Sequence, residues 1–149
     1  MINQRNIIKT HVVKNGDSGV FGDLVNAKIK EGIILNNNSK DIVWVDFDSL
    51  ENFMVDVFTG IGVPKEDARI CADVLITSDK KGIDSHGIGR LKPIYYDRIK
   101  AGIQSPKTDM EIVKDGPTTV VIDGHNGMGQ VIAKKSMTLA IEKAKKMGL

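Results

Sequence analysis

Apolar residues between positions 50 and 58 recur at the spacing of an α-helix, and this pattern constrains the fold more than any other stretch of the chain. The residues that share the face are Leu50, Phe53, Met54, Val57 and Phe58. Their spacing of three or four residues places them on one side of a helix, which has to bury that side against other elements. Asp48 or Ser49 is predicted to cap the helix, with Glu51 completing a capping box with Asp48, and Gly60 is predicted to end it.

A second helix is predicted from Val63-Pro64 to Lys80-Lys81-Gly82. Proline suits a first turn, Glu66 and Asp67 suit the positive end of the helix dipole, and lysines followed by glycine suit a C-terminus. The apolar residues cover a broad face: Ala68, Ile70, Cys71, Ala72, Val74, Leu75 and Ile76. Such a helix is expected to be mostly buried, and Cys71 is expected to be an inert buried thiol.

Two further elements complete a small helical unit. Val43-Trp44-Val45 predicts a short strand before the first helix. A third helix is predicted after the second, with Pro93 in its first turn and Gly102 at its end. Its apolar residues are Leu91, Ile94, Tyr95 and Ile99.

The pattern changes from helical to β-rich in the last third of the chain. The runs Glu111 to Val113 and Thr118 to Ile122 are separated by Asp115-Gly116-Pro117, which predicts a hairpin. A helix is predicted next, from about Gln130 to Met147. Its predicted inner face consists of Ala133, Met137, Ala140, Ile141 and Ala144.

Residues 1–42 are the part of the chain whose pattern predicts least. Ile7-Ile8 and Val12-Val13 are spaced to pair as short strands around Lys9-Thr10-His11. Residues 24–34 have the composition of a weak helix. The segment is therefore expected to be an extension of uncertain order.

Composition bounds the class of protein. The chain has 149 residues, 41% hydrophobic and 27% charged, which is enough for one globular domain with a modest core. A net charge of +2 with both signs interspersed gives no electrostatic case for nucleic acid or a membrane surface. A single cysteine cannot form an internal disulfide, which agrees with a cytoplasmic protein. The histidines at positions 11, 86 and 125 do not have metal-ligand spacing, so no metal site is expected.

The loop between the second and third helices concentrates polar chemistry. Asp84 to Arg90 holds a carboxylate, a hydroxyl, an imidazole and a guanidinium within seven residues. An imidazole moves protons near neutral pH and a guanidinium grips a carboxylate, so these groups suit an active site for a small carboxylate substrate. Spacing alone favours a simpler interpretation, a turn in which Asp84 or Ser85 caps the next helix and His86 packs.

The same loop opens the first of two blocks that match one protein family. Asp84-Ser85-His86-Gly87 with Arg90-Leu91 is followed by Tyr95 to Ile103, and the second block is Asp123 to Gln130. In this order the blocks resemble the malate/L-lactate dehydrogenase family. These are non-Rossmann, NAD(P)-dependent 2-hydroxyacid oxidoreductases that include sulfolactate and ureidoglycolate dehydrogenases. The resemblance runs from about residue 43 to residue 149.

The resemblance implies roles for three residues of the loop. Ser85 and His86 are implied to be catalytic, as a polar relay that moves a proton at the substrate. Arg90 is implied to bind the carboxylate of a small 2-oxo or 2-hydroxy acid. The implied cofactor is NAD or NADP, and most of its contacts are expected beyond Leu149. The complete enzyme is implied to be a cytoplasmic homodimer.

The predicted fold class is α/β (α+β), a small three-helix unit followed by the start of a mixed-sheet α/β cofactor domain. The predicted domains are an N-terminal extension at 1–42, a helical substrate-side unit at 43–104, and the first strands and helix of an incomplete cofactor domain at 105–149. Because a further strand is expected after Gly148, the chain is interpreted as a fragment that is inactive alone.

The glycine-rich turn before the last helix does not have the order of a dinucleotide-binding fingerprint. Gly124, Gly127 and Gly129 are spaced differently from G-x-G-x-x-G, so a Rossmann assignment is not supported. The simpler interpretation is a tight turn with glycines at positive φ and with Asn126 also tolerating that region. His125 is expected to be a surface residue of this turn.

Two other functions compete with the dehydrogenase. Ser85-His86 could be a hydrolase pair, but sequence neighbours rarely form the bond between nucleophile and base, and no G-x-S-x-G elbow is present. The second alternative is a non-catalytic helical domain that binds other proteins.

Overall fold

The computed structural model describes residues 7–11, 34–36 and 42–148. The strands are β1 Ile7–His11, β2 Ile34–Asn36, β3 Ile42–Asp46, β4 Glu111–Asp115 and β5 Val120–Asp123. The helices are α1 Phe47–Gly60, α2 Lys65–Lys80, α3 Asp97–Lys100 and α4 Gly129–Met147. Shorter helical turns, described below, join α2 to α3.

The first sheet has three antiparallel strands in the order β1-β3-β2. Residues Lys9, Thr10 and His11 continue β1 and pair with β3, so the predicted pairing of Ile7-Ile8 with Val12-Val13 around these residues is wrong. Strand β1 therefore pairs with β3, which is distant in the sequence, and not within a local hairpin. Val12, Val13 and most of the predicted helix at 24–34 lie outside the described residues. The strand predicted at Val43-Trp44-Val45 is confirmed.

Strand β3 runs directly into α1, and this junction decides how the helix begins. Asp46 is both the last residue of β3 and the N-cap of α1. Its Oδ1 accepts hydrogen bonds from the backbone N–H groups of Asp48 and Ser49 at 3.1 and 3.0 Å. The prediction of Asp48 or Ser49 as the cap is therefore wrong by two or three residues, because the strand leaves no loop in which those residues could stand outside the helix.

One hydrophobic core lies between α1, α2 and the segment that leads into α3. It contains Leu50, Met54, Val57 and Phe58 of α1, as their spacing predicted, with Phe53 partly buried at its edge. The predicted face of α2 is confirmed except at its margins, where Val74 is 41% exposed. The ring of Tyr95 meets that of Phe58 edge to face, with centroids 5.8 Å apart.

The predicted third helix is not a regular α-helix. Its first part, Leu91–Tyr96, is a π-helical turn, and only α3 after it is α-helical. Pro93 is the third residue of the π turn, so it lies in the first turn of the segment, as predicted. Its ring crowds the carbonyl of the preceding turn, which a wider turn relieves. Gly102 ends the segment with φ of +70°, as predicted.

The predicted hairpin is confirmed, since β4 and β5 pair antiparallel with a bulge between Ile112 and Lys114.

The predicted inner face of α4 is wrong, because Ala133, Met137, Ala140 and Ile141 are exposed. The helix is instead anchored at its first turn, where Val131 is buried beside the equally buried Met128. Both described sheets are antiparallel, and the mixed sheet of a larger domain stays a prediction.

Candidate active site

The loop after α2 consists of two short 3₁₀ turns, Asp84–His86 and Ile88–Arg90, separated by Gly87. The first turn is anchored to α2 by the hydrogen bond from Ile83 N to Ser78 O at 2.9 Å. The two turns bring Ser85, His86 and Arg90 into contact, although their side chains come from different turns. The structure thus assembles the three predicted site residues into one cluster.

His86 lies at the centre of this cluster. Its Nδ1 is 2.9 Å from Ser85 Oγ, and its Nε2 is 3.3 Å from Arg90 Nη2. Arg90 also donates from Nε to the carbonyl oxygen of Ser85 at 2.6 Å. Ser85 and His86 are exposed and Arg90 is half-buried, so the cluster is open to a ligand.

The position of the arginine assigns the proton on the imidazole. A guanidinium has only donors, so Nε2 of His86 has to accept from Arg90. In the neutral ring the remaining proton is then on Nδ1, from which it is donated to Ser85 Oγ. The hydroxyl hydrogen of Ser85 is then not used in the bond to His86.

This geometry bears on the hydrolase alternative in two ways. The expectation that the neighbours Ser85 and His86 do not hydrogen-bond is wrong, because the 3₁₀ turn brings Oγ and Nδ1 to 2.9 Å. The direction of the bond is nevertheless unsuited to hydrolysis, since the ring donates to the hydroxyl and cannot accept its proton. The other ring nitrogen faces a guanidinium, whereas a catalytic triad places a carboxylate there.

The interpretation as a capped turn is also wrong. Residues Ile83 and Gly87 occupy the N-cap positions of the two 3₁₀ turns, and neither turn has a side-chain cap from Asp84 or Ser85. His86 is exposed and does not pack into the core. The polar groups of the loop therefore serve something other than helix capping.

Sequence reasoning missed Asp79, which lies beneath the loop in the last turn of α2. Its side chain is buried and its Oδ2 accepts a hydrogen bond from Ile88 N at 2.8 Å. Burial raises the pKa of this carboxyl, the bond from Ile88 opposes the rise, and the charge of Asp84 adds to it. The available signal was an acid at the negative end of a helix dipole, where it is unfavourable without a specific partner.

Behind the cluster, a second group of polar side chains approaches the core. Burial raises the pKa of Tyr95, the Cys71 thiol adds to the rise, and Arg90 and Gln130 oppose it. Burial also raises the pKa of Cys71 to about 12, with a smaller contribution from Asp67. Cys71 is thus protonated at neutral pH, as expected of an inert thiol.

A cavity of about 380 Å³ lies beside Tyr95, between α3 and the first turn of α4. Its walls are formed by Ile94, Tyr95, Arg98, Ile103, Gln104, Asn126, Gly127, Gly129 and Gln130. Arg98 is the one charged residue of this lining. The cavity joins the two blocks of sequence that the family resemblance rests on, because one wall comes from each.

The glycine-rich turn does not form a phosphate cradle. Gly127 N donates to Gly124 O at 2.8 Å and Met128 N donates to Thr108 Oγ1 at 3.3 Å, so these donors are already used within the chain. The positive φ angles belong to His125 and Asn126 and not to the three glycines, which corrects that expectation. A Cβ on Gly124 would lie 2.4 Å from Ile132 Cδ1, so a larger residue here would force the end of that side chain to move.

His125 is exposed, with its Nε2 3.3 Å from Glu111 Oε2. Across residues 7–11, 34–36 and 42–148, the His, Cys, Asp and Glu side chains form no group of three or more that could hold a metal ion. None of the helices in this described part combines the length and apolar character that crossing a membrane requires.

The sequence matches the model of one family, described as malate/L-lactate dehydrogenase, over residues 45–149. This stretch includes the Ser85, His86 and Arg90 cluster and the turn at 124–129. The chain belongs to the malate/L-lactate dehydrogenase family. The family resemblance predicted from the sequence is thereby confirmed. The matched residues begin within β3.

Members of this family resemble the chain closely but are much longer. L-sulfolactate dehydrogenase of Methanocaldococcus jannaschii is 52% identical over 99 residues, which are 66% of this chain and 28% of the relative. Malate dehydrogenase of Pyrococcus abyssi is 44% identical over 110 residues, 74% of this chain and 30% of the relative.

The fold agrees with that of a solved relative. The structure of malate dehydrogenase from Pyrococcus horikoshii superposes with a TM-score of 0.66 at 45% identity, over 68% of this chain and 29% of that protein. The helix-rich α/β arrangement is thus that of the N-terminal part of these dehydrogenases. The chain spans less than a third of the length of the relatives named here.

Proposed function

We propose that this chain is the substrate-side part of an NAD(P)-dependent oxidoreductase that interconverts a 2-hydroxy acid and a 2-oxo acid of the malate or lactate type. The observation that carries the proposal is His86 held between the Ser85 hydroxyl and the Arg90 guanidinium, in a member of a dehydrogenase family. The reaction moves a proton at the substrate oxygen, and this cluster supplies groups that can hold and move one.

Ser85 is the proposed contact to the substrate oxygen. Its hydroxyl hydrogen is free to be donated, because its oxygen accepts from His86 Nδ1. When the 2-oxo acid is reduced, Ser85 would pass its proton to the developing alkoxide and take one from His86 Nδ1, while His86 Nε2 takes up a proton from solvent in place of its bond from Arg90. Oxidation of the hydroxy acid would reverse this path.

Arg90 retains donors for a carboxylate although two of its five N–H groups are used within the cluster. The second hydrogen on Nη2 and the two on Nη1 remain. Donors on the two terminal nitrogens grip a carboxylate through parallel bonds, which orients the substrate as well as binding it.

The cofactor, NAD or NADP, is proposed from family membership and not from a binding site in this chain. Bound nicotinamide supplies or accepts the hydride in such enzymes. The turn at 124–129 does not fit a dinucleotide phosphate, because Gly127 N and Met128 N donate within the chain and the side chain of Ile132 occupies the space beside Gly124. The residues that would hold the cofactor are therefore proposed to lie outside the described residues of this chain.

We propose on the same grounds that the chain has no dehydrogenase activity alone. It spans 28–30% of the relatives' length, and its described residues supply the substrate side only. Hydride transfer requires both reactants to be held in contact, so one set of contacts without the other gives little catalysis. A cytoplasmic homodimer is the state we propose for the complete enzyme, again from the family.

The alternative, a helical protein-interaction domain, finds less support. The apolar residues of α1 and α2 are mostly buried in the core. Large exposed apolar residues occur mainly on the hairpin and α4, where Val113 is 60% and Met137 is 62% exposed. An interaction surface would therefore lie outside the helical unit to which this alternative assigns it.

A chimera provides the test of the dehydrogenase proposal. Residues 45–149 of this chain would replace the matching N-terminal segment of the Methanocaldococcus jannaschii L-sulfolactate dehydrogenase. We expect the chimera to reduce NAD⁺ or NADP⁺ with L-sulfolactate or malate, measured by NAD(P)H absorbance, and the chain alone to give no turnover.

Variants of the chimera assign the roles. His86→Ala should lower kcat by roughly 10²–10⁴-fold, the usual range for a lost proton-transfer group. Arg90→Lys should raise KM by about 10–100-fold, because a lysine cannot replace the paired bonds to a carboxylate. His125→Ala is the matched control and should change neither constant. A folded chimera whose turnover is indifferent to His86→Ala would remove the cluster from the reaction.

A further inference from the structure

We propose that Asp79 is a positioning residue that locks the second turn of the loop and thereby holds Arg90 against His86. Asp79 is 5% exposed and lies in the last turn of α2, directly below the loop. Its Oδ2 accepts from Ile88 N at 2.8 Å, and Ile88 is the first residue of the 3₁₀ turn that ends with Arg90.

Gly87 also contributes to this arrangement, because it leaves room for the Asp79 carboxylate. A Cβ built on Gly87 would lie 1.7 Å from Asp79 Oδ1 and 2.1 Å from its carboxyl carbon. No side chain fits in that distance, so the carboxylate and the glycine backbone occupy complementary space. Gly87 has a φ of −93°, so no left-handed φ requires glycine here, whereas the neighbouring carboxylate leaves no room for a side chain.

The bond to Asp79 reaches the cluster through a short series of contacts. Arg90 N donates to Gly87 O at 3.0 Å, which closes the second turn. From that turn the Arg90 side chain reaches Ser85 O and His86 Nε2. The start of the turn is fixed by Asp79, since Ile88 N has no partner within so short a helix.

The first turn has a separate anchor, so the loss of Asp79 is expected to affect the second turn only. Ile83 N donates to Ser78 O and His86 N donates to Ile83 O, and neither bond involves Asp79. Loss of Asp79 should therefore release Arg90 from His86 while the first turn keeps Ser85 beside His86. The catalytic importance of Asp79 rests on the proposed function, whereas its effect on the geometry does not.

The tautomer of His86 reports this geometry in the 149-residue chain itself. In the ¹⁵N-labelled chain, two-bond ¹H–¹⁵N spectra above neutral pH should show Nδ1 protonated and Nε2 accepting. Asp79→Ala should lose this pattern, because Nε2 no longer has Arg90 as a donor. Asp79→Asn should restore it, since the amide oxygen can still accept from Ile88 N.

Two controls are present in the chain. Asp73→Ala removes an exposed carboxylate from the same helix, and the ring of His125 serves as an internal reference. Neither variant of Asp79 should alter the His125 signals. An unchanged His86 pattern in folded Asp79→Ala would overturn the proposal. A failure of Asp79→Ala to fold would overturn it too, by assigning Asp79 to the folding of α2.

A double-mutant cycle tests the contact with Gly87 independently. Gly87→Ala should destabilise the wild-type chain and should cost much less when Asp79 is already alanine, because the colliding carboxylate is gone. The free energies would be measured by urea unfolding. Equal costs in the two backgrounds would show that the two residues do not share the space that the structure assigns to them.

Discussion

The helical unit at residues 47–102 and the hairpin-helix segment at 111–147 use apolar residues differently. In the helical unit the apolar faces of α1 and α2 meet and form the core. In the hairpin-helix segment every residue of β4 is exposed, and only Val131 of α4 is buried. Each region contains a helix with an apolar face predicted from its spacing, α1 in the first and α4 in the second, so the difference lies in what each face has to pack against.

The contrast shows that periodicity predicts an element but not its partner. A period of 3.6 residues identified α1 and α4 equally well. Burial of a face also requires a second apolar face opposite, which α1 finds in α2. The apolar face predicted for α4 has none among the described residues, and α4 is held to the hairpin by polar contacts such as that of Lys143 with Asp115 and with Gly116 O.

The largest expected effect comes from removing a buried ring. Phe58→Ala should lower the free energy of unfolding by about 3–5 kcal/mol, because Phe58 is fully buried and a cavity is left behind. Met137→Ala is the matched change on α4 and should stay within about 0.5 kcal/mol. Urea denaturation of both variants compares the regions directly. Similar losses would mean that α4 is also buried in solution.

The junction of β3 and α1 provides the next largest effect. Asp46→Ala should cost about 1 kcal/mol, since two backbone N–H groups of the first turn lose their acceptor. Asp48→Ala removes an exposed acid from the same turn and should cost less, through the helix dipole alone. Thermal unfolding followed by circular dichroism would rank them, and the reverse order would restore Asp48 as the cap.

Asp79 should make the stability of the helical unit depend on pH. Because its pKa is raised in the folded chain, the unfolded carboxyl ionises first as pH rises from about 4. Stability should therefore fall as pH rises through the window between the unfolded and folded pKa values. Asp79→Asn should flatten this part of the curve in urea unfolding between acidic and neutral pH. Asp73→Asn, an exposed change in the same helix, should leave the slope as it is.

The smallest effect on stability is expected from charges placed on the exposed apolar surface. Val113→Lys and Met137→Lys should leave the free energy of unfolding nearly unchanged, because both side chains are more than half exposed. The same changes should reduce binding of a hydrophobic dye and self-association in sedimentation, since they interrupt apolar patches. If dye binding stays high in the variant that carries both substitutions, the apolar surface that binds the dye lies elsewhere.

Local patterns predicted most of the elements. The α1 face, the end of α2 at Lys80 and the hairpin were all within reach of periodicity and turn signals. The pairing of β1 with β3 was not, because the two strands are separated by about thirty residues and nothing in β1 specifies a partner. The cap at Asp46 was missed because a residue cannot be recognised from sequence as the end of a strand and the start of a helix at once.

The candidate site was predicted as a set of residues but not as a geometry. The resemblance singled out Ser85, His86 and Arg90. Their contacts depend on two 3₁₀ turns, which no periodic pattern of apolar residues predicts. The acid in the last turn of α2, Asp79, was visible in the sequence, but its role was not, since its partner is the backbone N–H of Ile88, nine residues later. Backbone partners have no sequence signature.

The π turn at Leu91–Tyr96 makes the spacing between the cluster and α3 a fixed quantity. One residue advances an α-helix by about 100° around its axis. Deleting a single residue here would let the turn close into regular α-helix, but the segment before it would rotate by that angle relative to the segment after it. Either the loop that carries His86 and Arg90 would then leave its place on α2, or Ile99 would leave the core. The length of this segment therefore sets how the loop cluster lies relative to the core residue Ile99.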